Sequence, residues 1–212
     1  MREIHKLDPE YPANLKAIDG APEKLFVKGE LLKSDKIAIA IVGTRTPSRY
    51  GMQITEQFAT ELAKAGFTIV SGMARGIDSI AHKASIKAGG RTIAVLANGL
   101  DMVYPPENVK LFREIIKNGA IFSEFRPGVR PLPKHFLARN RIISGLCLGV
   151  LVIEGRRRSG TLSTATHAAN QGREVFAVPG PIKSKQSEAP NYLIENGAMM
   201  VKSPQDILDT LG

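Results

Sequence analysis

Continuous apolar runs rich in β-branched residues recur along the chain, each followed by a short polar segment and then a stretch of helical period. The first run is Ile37–Val42 (IAIAIV), which ends at Gly43. Similar runs follow at Phe67–Ser71, Thr92–Ala97, Ala120–Ser123, Gly149–Ile153, Val175–Val178 and Ala198–Val201. Helical spacing begins with Met52–Ala65, where Ile54, Phe58, Leu62 and Ala65 share one face. Further helices are expected at about Ile77–Ala88, Pro106–Asn118, Phe136–Cys147, Thr161–Gln171, Asn191–Asn196 and Pro204–Leu211. Strands that are apolar throughout, rather than alternating, belong to a sheet covered on both faces. The βαβαβα order therefore predicts an α/β fold, a doubly wound, mostly parallel sheet with helices on both faces, over residues 37–212.

Residues 1–36 do not share this pattern. They hold Pro9, Pro12 and Pro22, a short helical stretch near Asn14–Ile18 and a strand-like segment at Leu25–Leu31. The expectation is an amino-terminal arm packing on the main domain. Gly180–Pro190 (GPIKSKQSEAP) reads as a mobile loop. No apolar run approaches the roughly 18 residues of a membrane span, and the first ten residues hold no signal-peptide core. The single cysteine, Cys147, excludes an internal disulfide and any cysteine-cluster zinc site. A reducing, cytoplasmic setting without membrane partners is expected.

The formal net charge is +9, and it is unevenly spread. Residues 1–36 balance seven basic against seven acidic side chains. Residues 126–158 carry eight basic ones (Arg126, Arg130, Lys134, Arg139, Arg141, Arg156, Arg157, Arg158) and a single acid, Glu154. Such clustering is the footprint of a polyanion partner, since each neutralised phosphate releases condensed counterions. A merely solvated basic face is the plainer reading.

In an open parallel sheet, ligands bind where strands end and helices begin. Three strand ends here are decorated alike: Gly43-Thr44-Arg45, Ser71-Gly72 with Arg75-Gly76, and Arg156-Arg157-Arg158 with Ser159-Gly160-Thr161. Each offers a glycine for close backbone approach, a hydroxyl, an arginine and a helix start, which are the parts of an anion nest. Tight-turn chemistry alone also explains each glycine, and Arg45 and Arg75 could instead be ion-paired with Asp78 or Glu154. Lys134, Phe136, Arg139, Asn140 and Arg141 open one helix, with Phe136 beside Arg139 and Asn140 at i+3 and i+4. A ring among cations suits a base stacked on Phe136 with its backbone held by charge; a core position for Phe136 is the competing reading.

Enzyme signatures are mostly missing. There is no G-x-x-x-x-G-K-[ST], no G-x-G-x-x-G after the first strand, and no G-x-S-x-G elbow. His5, His82, His135 and His167 are scattered without metal-ligand spacing, and no metal or cofactor is expected. Asp78, Asp101, Glu124 and Glu154 are candidate general bases that no spacing pairs.

Taken together, the strand-end motifs resemble the DNA-processing protein A family (DprA, also called Smf). The residues that carry the resemblance are Ile41-Val42-Gly43-Thr44-Arg45 with Tyr50-Gly51, Ser71-Gly72-Met73-Ala74-Arg75-Gly76-Ile77-Asp78, Gly99-Leu100-Asp101 with Tyr104-Pro105, Phe136 with Arg139-Asn140-Arg141, Ser159-Gly160-Thr161, and Ala177-Val178-Pro179-Gly180. The resemblance implies an extended Rossmann-like domain that binds single-stranded DNA, forms a homodimer, and helps load RecA recombinase onto DNA during transformation. Carried across by motif, Arg45 and the Arg75 loop would contact phosphates. Lys134, Phe136, Arg139 and Arg141 would line the strand's path, and Ser159, Gly160 and Thr161 would form a further nest. The sequence departs from the family pattern at Glu188-Ala189-Pro190, where a glycine-rich stretch is usual, at Ala97-Asn98 and at Ser163. Two other readings stand beside this one. A nucleotide-hydrolysing enzyme of the phosphoribohydrolase type would need a Pro-Gly-Gly-x-Gly-Thr motif with a following acid, which the chain lacks. An adaptor whose basic face meets an acidic protein is the other.

Overall fold

The computed structural model describes residues 1–157 and 159–212. In chain order its main elements are β1 (Arg2–His5), α1 (Ala13–Lys16), β2 (Lys24–Gly29), β3 (Ala38–Val42), α2 (Arg49–Lys64), β4 (Thr68–Ser71), α3 (Ile77–Lys87), β5 (Thr92–Leu96), α4 (Val109–Asn118) and β6 (Gly119–Ser123). They continue with α5 (Pro133–Gly145), β7 (Gly149–Val152), α6 (Gly160–Asn170), β8 (Glu174–Ala177), α7 (Glu188–Glu195), β9 (Met199–Met200) and α8 (Pro204–Leu211). Among the described residues the strands form one sheet in the order β1-β2-β6-β5-β4-β3-β7-β8-β9. The pairs from β6 across to β9 are parallel, while β1–β2 and β2–β6 are antiparallel.

Alternate residues of the central strands feed opposite cores, as the two-residue period of a strand requires. Ala38, Ala40 and Val42 of β3 pack toward Ile142, Ile143 and Leu146 of α5 and Ala165 and Ala168 of α6. Ile39 and Ile41 face Phe58, Ala59 and Leu62 of α2, Ile77 and Ala81 of α3, and Ile207 of α8. Beneath α4, a third cluster joins Leu111, Phe112 and Ile115 to Ala94, Leu96 and Ile121. The fold is thus the doubly wound, mostly parallel α/β architecture that the apolar runs predict, with element bounds shifted by up to three residues in most cases.

The shifts have local causes. Ser48 caps α2 by accepting a hydrogen bond from the Gly51 amide at 3.1 Å, so the helix starts at Arg49, ahead of its first apolar residue. Pro133 opens α5 at a position where no amide is needed. Helix α7 begins at Glu188, inside the stretch expected to be a loop, because Pro190 sits in its first turn and interrupts no helical hydrogen bond. Strand β1 gave no periodic signal, since Ile4 is its one buried residue. Residues 1–36 place two strands in the sheet and put Ile4, Leu15, Leu25 and Val27 into the core beside α5.

Candidate functional site

Strand β3 has β4 on one side and β7 on the other, so the helices that follow β3 and β7 leave toward opposite faces of the sheet. Crossovers that part in this way leave a crevice at the carboxyl ends of the strands. A cleft of about 660 Å³ lies there, lined by Gly43, Thr44 and Arg45 after β3, by Phe136, Arg139 and Asn140 of α5, and by Gly155, Arg156 and Ser159–Thr161 before and at the start of α6.

Backbone contacts hold its loops together. The Thr44 amide donates to the Glu154 carbonyl at 2.7 Å, and the Ile77 amide donates to the Thr44 carbonyl at 3.2 Å. A side chain at Gly43 would meet Ile77 Cγ1 at 2.6 Å and the Glu154 carbonyl at 2.9 Å. Gly76 has φ +74°, and a Cβ there would run into the Thr44 carbonyl. These glycines let three loops touch, which larger residues would forbid. The Glu154 carboxylate is committed to the same frame, accepting from the Ser48 amide at 2.9 Å and the Ser48 hydroxyl at 2.5 Å.

Phe136 is the centre of the cleft wall. The exposed Arg45 guanidinium carbon lies 5.4 Å from its ring centroid and that of Arg139 lies 6.0 Å away. The Tyr104 ring stands 5.6 Å from it, tilted by 57°. Arg139 itself is only 4% exposed and donates to the carbonyls of Gly72, at 2.9 Å, and Val95. Burial pulls its pKa down to about 10, with Asp78 opposing the fall, so it stays charged at neutral pH. Gly72 makes this possible, because a Cβ there would occupy the guanidinium's place. Asp78 is buried too and accepts from the Gly72 amide at 3.0 Å; burial raises its pKa.

Opposite Phe136, helix α6 points its amino terminus into the cleft. The Ser159 hydroxyl at its cap is buried and has no hydrogen-bond partner among the described residues. Asn140 Nδ2 donates to the Gly160 carbonyl at 3.2 Å, fixing α6 to α5, and Thr161 lies in the first turn. Unpartnered first-turn amides and a free hydroxyl beside Arg45 and Arg156 make a place for an anionic oxygen. Arg157 lies outside that cup, 4.5 Å from the Tyr192 ring, and Arg158 lies outside the described residues.

Other expected contacts lie off the cleft lining. Ser71 is fully buried, and its hydroxyl donates to the Ile41 carbonyl at 2.7 Å, tying β4 to β3. Gly72 is covered by Arg139. Arg75 is exposed away from the cleft lining and is held by both carboxylate oxygens of Glu107, one at 3.2 Å. Arg141 donates to Glu124 at 2.6 Å and does not line the cleft. Lys134 is exposed on the first turn of α5. Residues missed as site members include Tyr104, Pro131 and Leu137, which line the cleft from loops and from α5. Of these, Tyr104 stands in the Tyr104-Pro105 motif and Leu137 within the helix-opening segment Lys134–Arg141, while Pro131 carries no signal of its own.

Among the described residues no group of His, Cys, Asp and Glu could hold a metal ion, and no helix is long and apolar enough to cross a membrane. The family described as DNA recombination-mediator protein A matches residues 2–212. Protein Smf of Escherichia coli is 48% identical over 202 residues, covering 95% of this chain and 54% of that protein, so the chain spans about half the length of this relative. The X-ray structure of DNA processing protein A from Streptococcus pneumoniae superposes with a TM-score of 0.93 at 44% identity, covering 98% of this chain and 73% of that one. DNA processing protein A from Helicobacter pylori, whose structure is described for its single-stranded DNA binding mode, gives a TM-score of 0.86 at 34% identity, with 95% of this chain and 92% of that one covered. With the glycines, the buried arginine and the cleft in the arrangement above, the chain belongs to the DNA recombination-mediator protein A family, the DprA or Smf proteins.

Proposed function

We propose that the chain binds single-stranded DNA without sequence preference along the carboxyl rim of its parallel sheet, and acts in DNA processing by binding rather than by a chemical step. The observation that carries the reading is the cleft itself: the Phe136 ring beside the exposed Arg45, facing the amino terminus of α6 and Ser159. Cations and open amides suit phosphates, and the ring suits a base, which are the two halves of single-strand binding. Arg45, Arg156 and the Ser159–Thr161 turn take the phosphates; Phe136 meets a base; Arg139 sets the potential from beneath. The structure of the Helicobacter pylori relative, described for single-stranded DNA, supports the same ligand here. Family membership further supports handing the bound strand to RecA recombinase in the cytoplasm. A homodimer is in keeping with Met199 and Met200, which are exposed on the edge strand β9.

The test is equilibrium binding to oligo-dT across roughly 50–300 mM salt. Affinity should fall linearly in a log–log plot, with a slope near −0.7 for each phosphate contacted. Arg45→Ala should weaken binding severalfold and reduce the slope by about 0.7, the loss of one contact. An affinity indifferent to salt, or an Arg45→Ala variant with the wild-type curve, overturns the reading.

A further inference from the structure

The phosphate-facing groups of the cleft do not read whether a base is paired, because paired and unpaired strands expose the same phosphodiester groups. A preference for free bases needs a surface that only an unstacked base can reach. The wall opposite α6 offers one. Tyr104 leaves the loop between β5 and α4 and stands 5.6 Å from Phe136, with the ring planes 57° apart. That tilt sets the two rings edge to face, not stacked on one another. Tyr104 is 36% exposed and the neighbouring Leu137 is 53% exposed, so the apolar wall opens to solvent.

The loop that carries Tyr104 is held firmly. Asn98, almost fully buried, donates its side-chain amide to the Gly99 and Met102 carbonyls, each at 2.9 Å. On the other flank Asn108 donates to the Met73 carbonyl at 2.9 Å. Val103 packs against the cluster under α4. A large aromatic ring kept at the surface by buried amides on both sides is preorganised, so little ordering is needed when something stacks on it.

We propose that Tyr104 is the residue that gives the cleft its preference for unpaired strands: with Phe136 it forms a two-ring seat for one base. The inference rests on the single-strand reading above and adds to it the group that reads the state of the strand. Every base has a π-face, so such a seat is indifferent to sequence.

The experiment compares two strands of equal length and charge, oligo-dT and a strand made of abasic sites, on the full chain. The wild type should bind oligo-dT more tightly. Tyr104→Ala should lose about fivefold or more of its oligo-dT affinity, the scale of one base–aromatic stack, while its affinity for the abasic strand and its salt slope stay put. Tyr104→Phe should recover most of the loss, since the ring is restored. A thermal melt close to the wild type shows that the variant is folded. Equal losses on both strands, or none on either, overturn the role of Tyr104 while leaving the phosphate site intact, as Arg45→Ala on the abasic strand would show. Failure of any strand to bind in a salt-dependent way overturns both the seat and the reading on which it rests.

Discussion

At the scale of single residues, the floor of the cleft is a set of buried polar groups that must satisfy one another. Arg139 has given up water for two carbonyls and the field of Asp78, and below it lies His82, fully buried, with Nδ1 2.6 Å from the Thr92 hydroxyl. Its Nε2 has no partner among the described residues. Burial foremost, with the nearby Arg139 charge, depresses the His82 pKa from its ordinary 6.5 to about 3. The folded state therefore keeps this imidazole neutral where the unfolded chain would take up a proton, and stability must fall as pH drops through 6.5. Asp78, whose pKa is raised, acts in the opposite sense within its own window, so the two are separated by substitution. Between pH 7 and pH 5 the wild type should lose about 2 kcal/mol relative to His82→Asn in urea unfolding. A parallel course for the two proteins would show that His82 is not held neutral. The sequence shows the residue types of this floor but not their depth. Whether Arg139 or Arg141, two positions apart, enters the protein depends on Gly72 and Val95, which are remote in the chain. Arg75 and Glu107 likewise meet across 32 positions, beyond the reach of any local spacing.

At the scale of elements, the frame of the cleft depends on how α2 is joined to β7. Glu154 follows β7, yet its carboxylate accepts the amide and hydroxyl of Ser48, the cap of α2, and a Cβ on Gly51 would collide with it. The same residue holds Thr44 through its carbonyl, so one acid positions the loop that presents Arg45. Hydrogen bonds to a charged group contribute about 1.5–3 kcal/mol, and this one also lies at the positive end of a helix. Glu154→Ala keeps the backbone carbonyl that holds Thr44, so it should leave the sheet intact but speed amide exchange over residues 48–52, and it should weaken oligo-dT binding without altering Phe136. Unchanged protection in that segment would mean the α2 cap does not depend on the acid. The elements themselves were readable, because parallel strands buried on both faces are apolar at every position and helices keep their own period. What was hidden is what carries no period: Ile4 alone in β1, the capped first turn of α2, and Pro190 in α7.

At the scale of the whole molecule, the question is whether residues 37–212 would stand without the segment before them. We propose that they would not. Residues 1–36 bury Ile4, Tyr11, Leu15, Ile18, Ala21, Leu25, Phe26 and Val27, with Phe26 on the α4 side of the sheet and the others on the α5 side. Burial of a single large apolar side chain contributes about 1.5–3 kcal/mol, and a whole domain is stable by only about 5–15 kcal/mol. Losing most of this set therefore exceeds the margin by which the fold survives. The geometry compounds the loss. Phe26–Gly29 of β2 pair with Ala120–Ser123 of β6, so removing them turns an apolar inner strand into an open edge beside the uncovered Phe122. Such an edge invites pairing between chains. A variant lacking residues 1–36 should be insoluble, or should show no cooperative urea transition, whereas the full chain should unfold in one step by both circular dichroism and fluorescence. A shortened chain that unfolds cooperatively and binds oligo-dT as the full one does would show that β1 and β2 decorate the sheet without completing it.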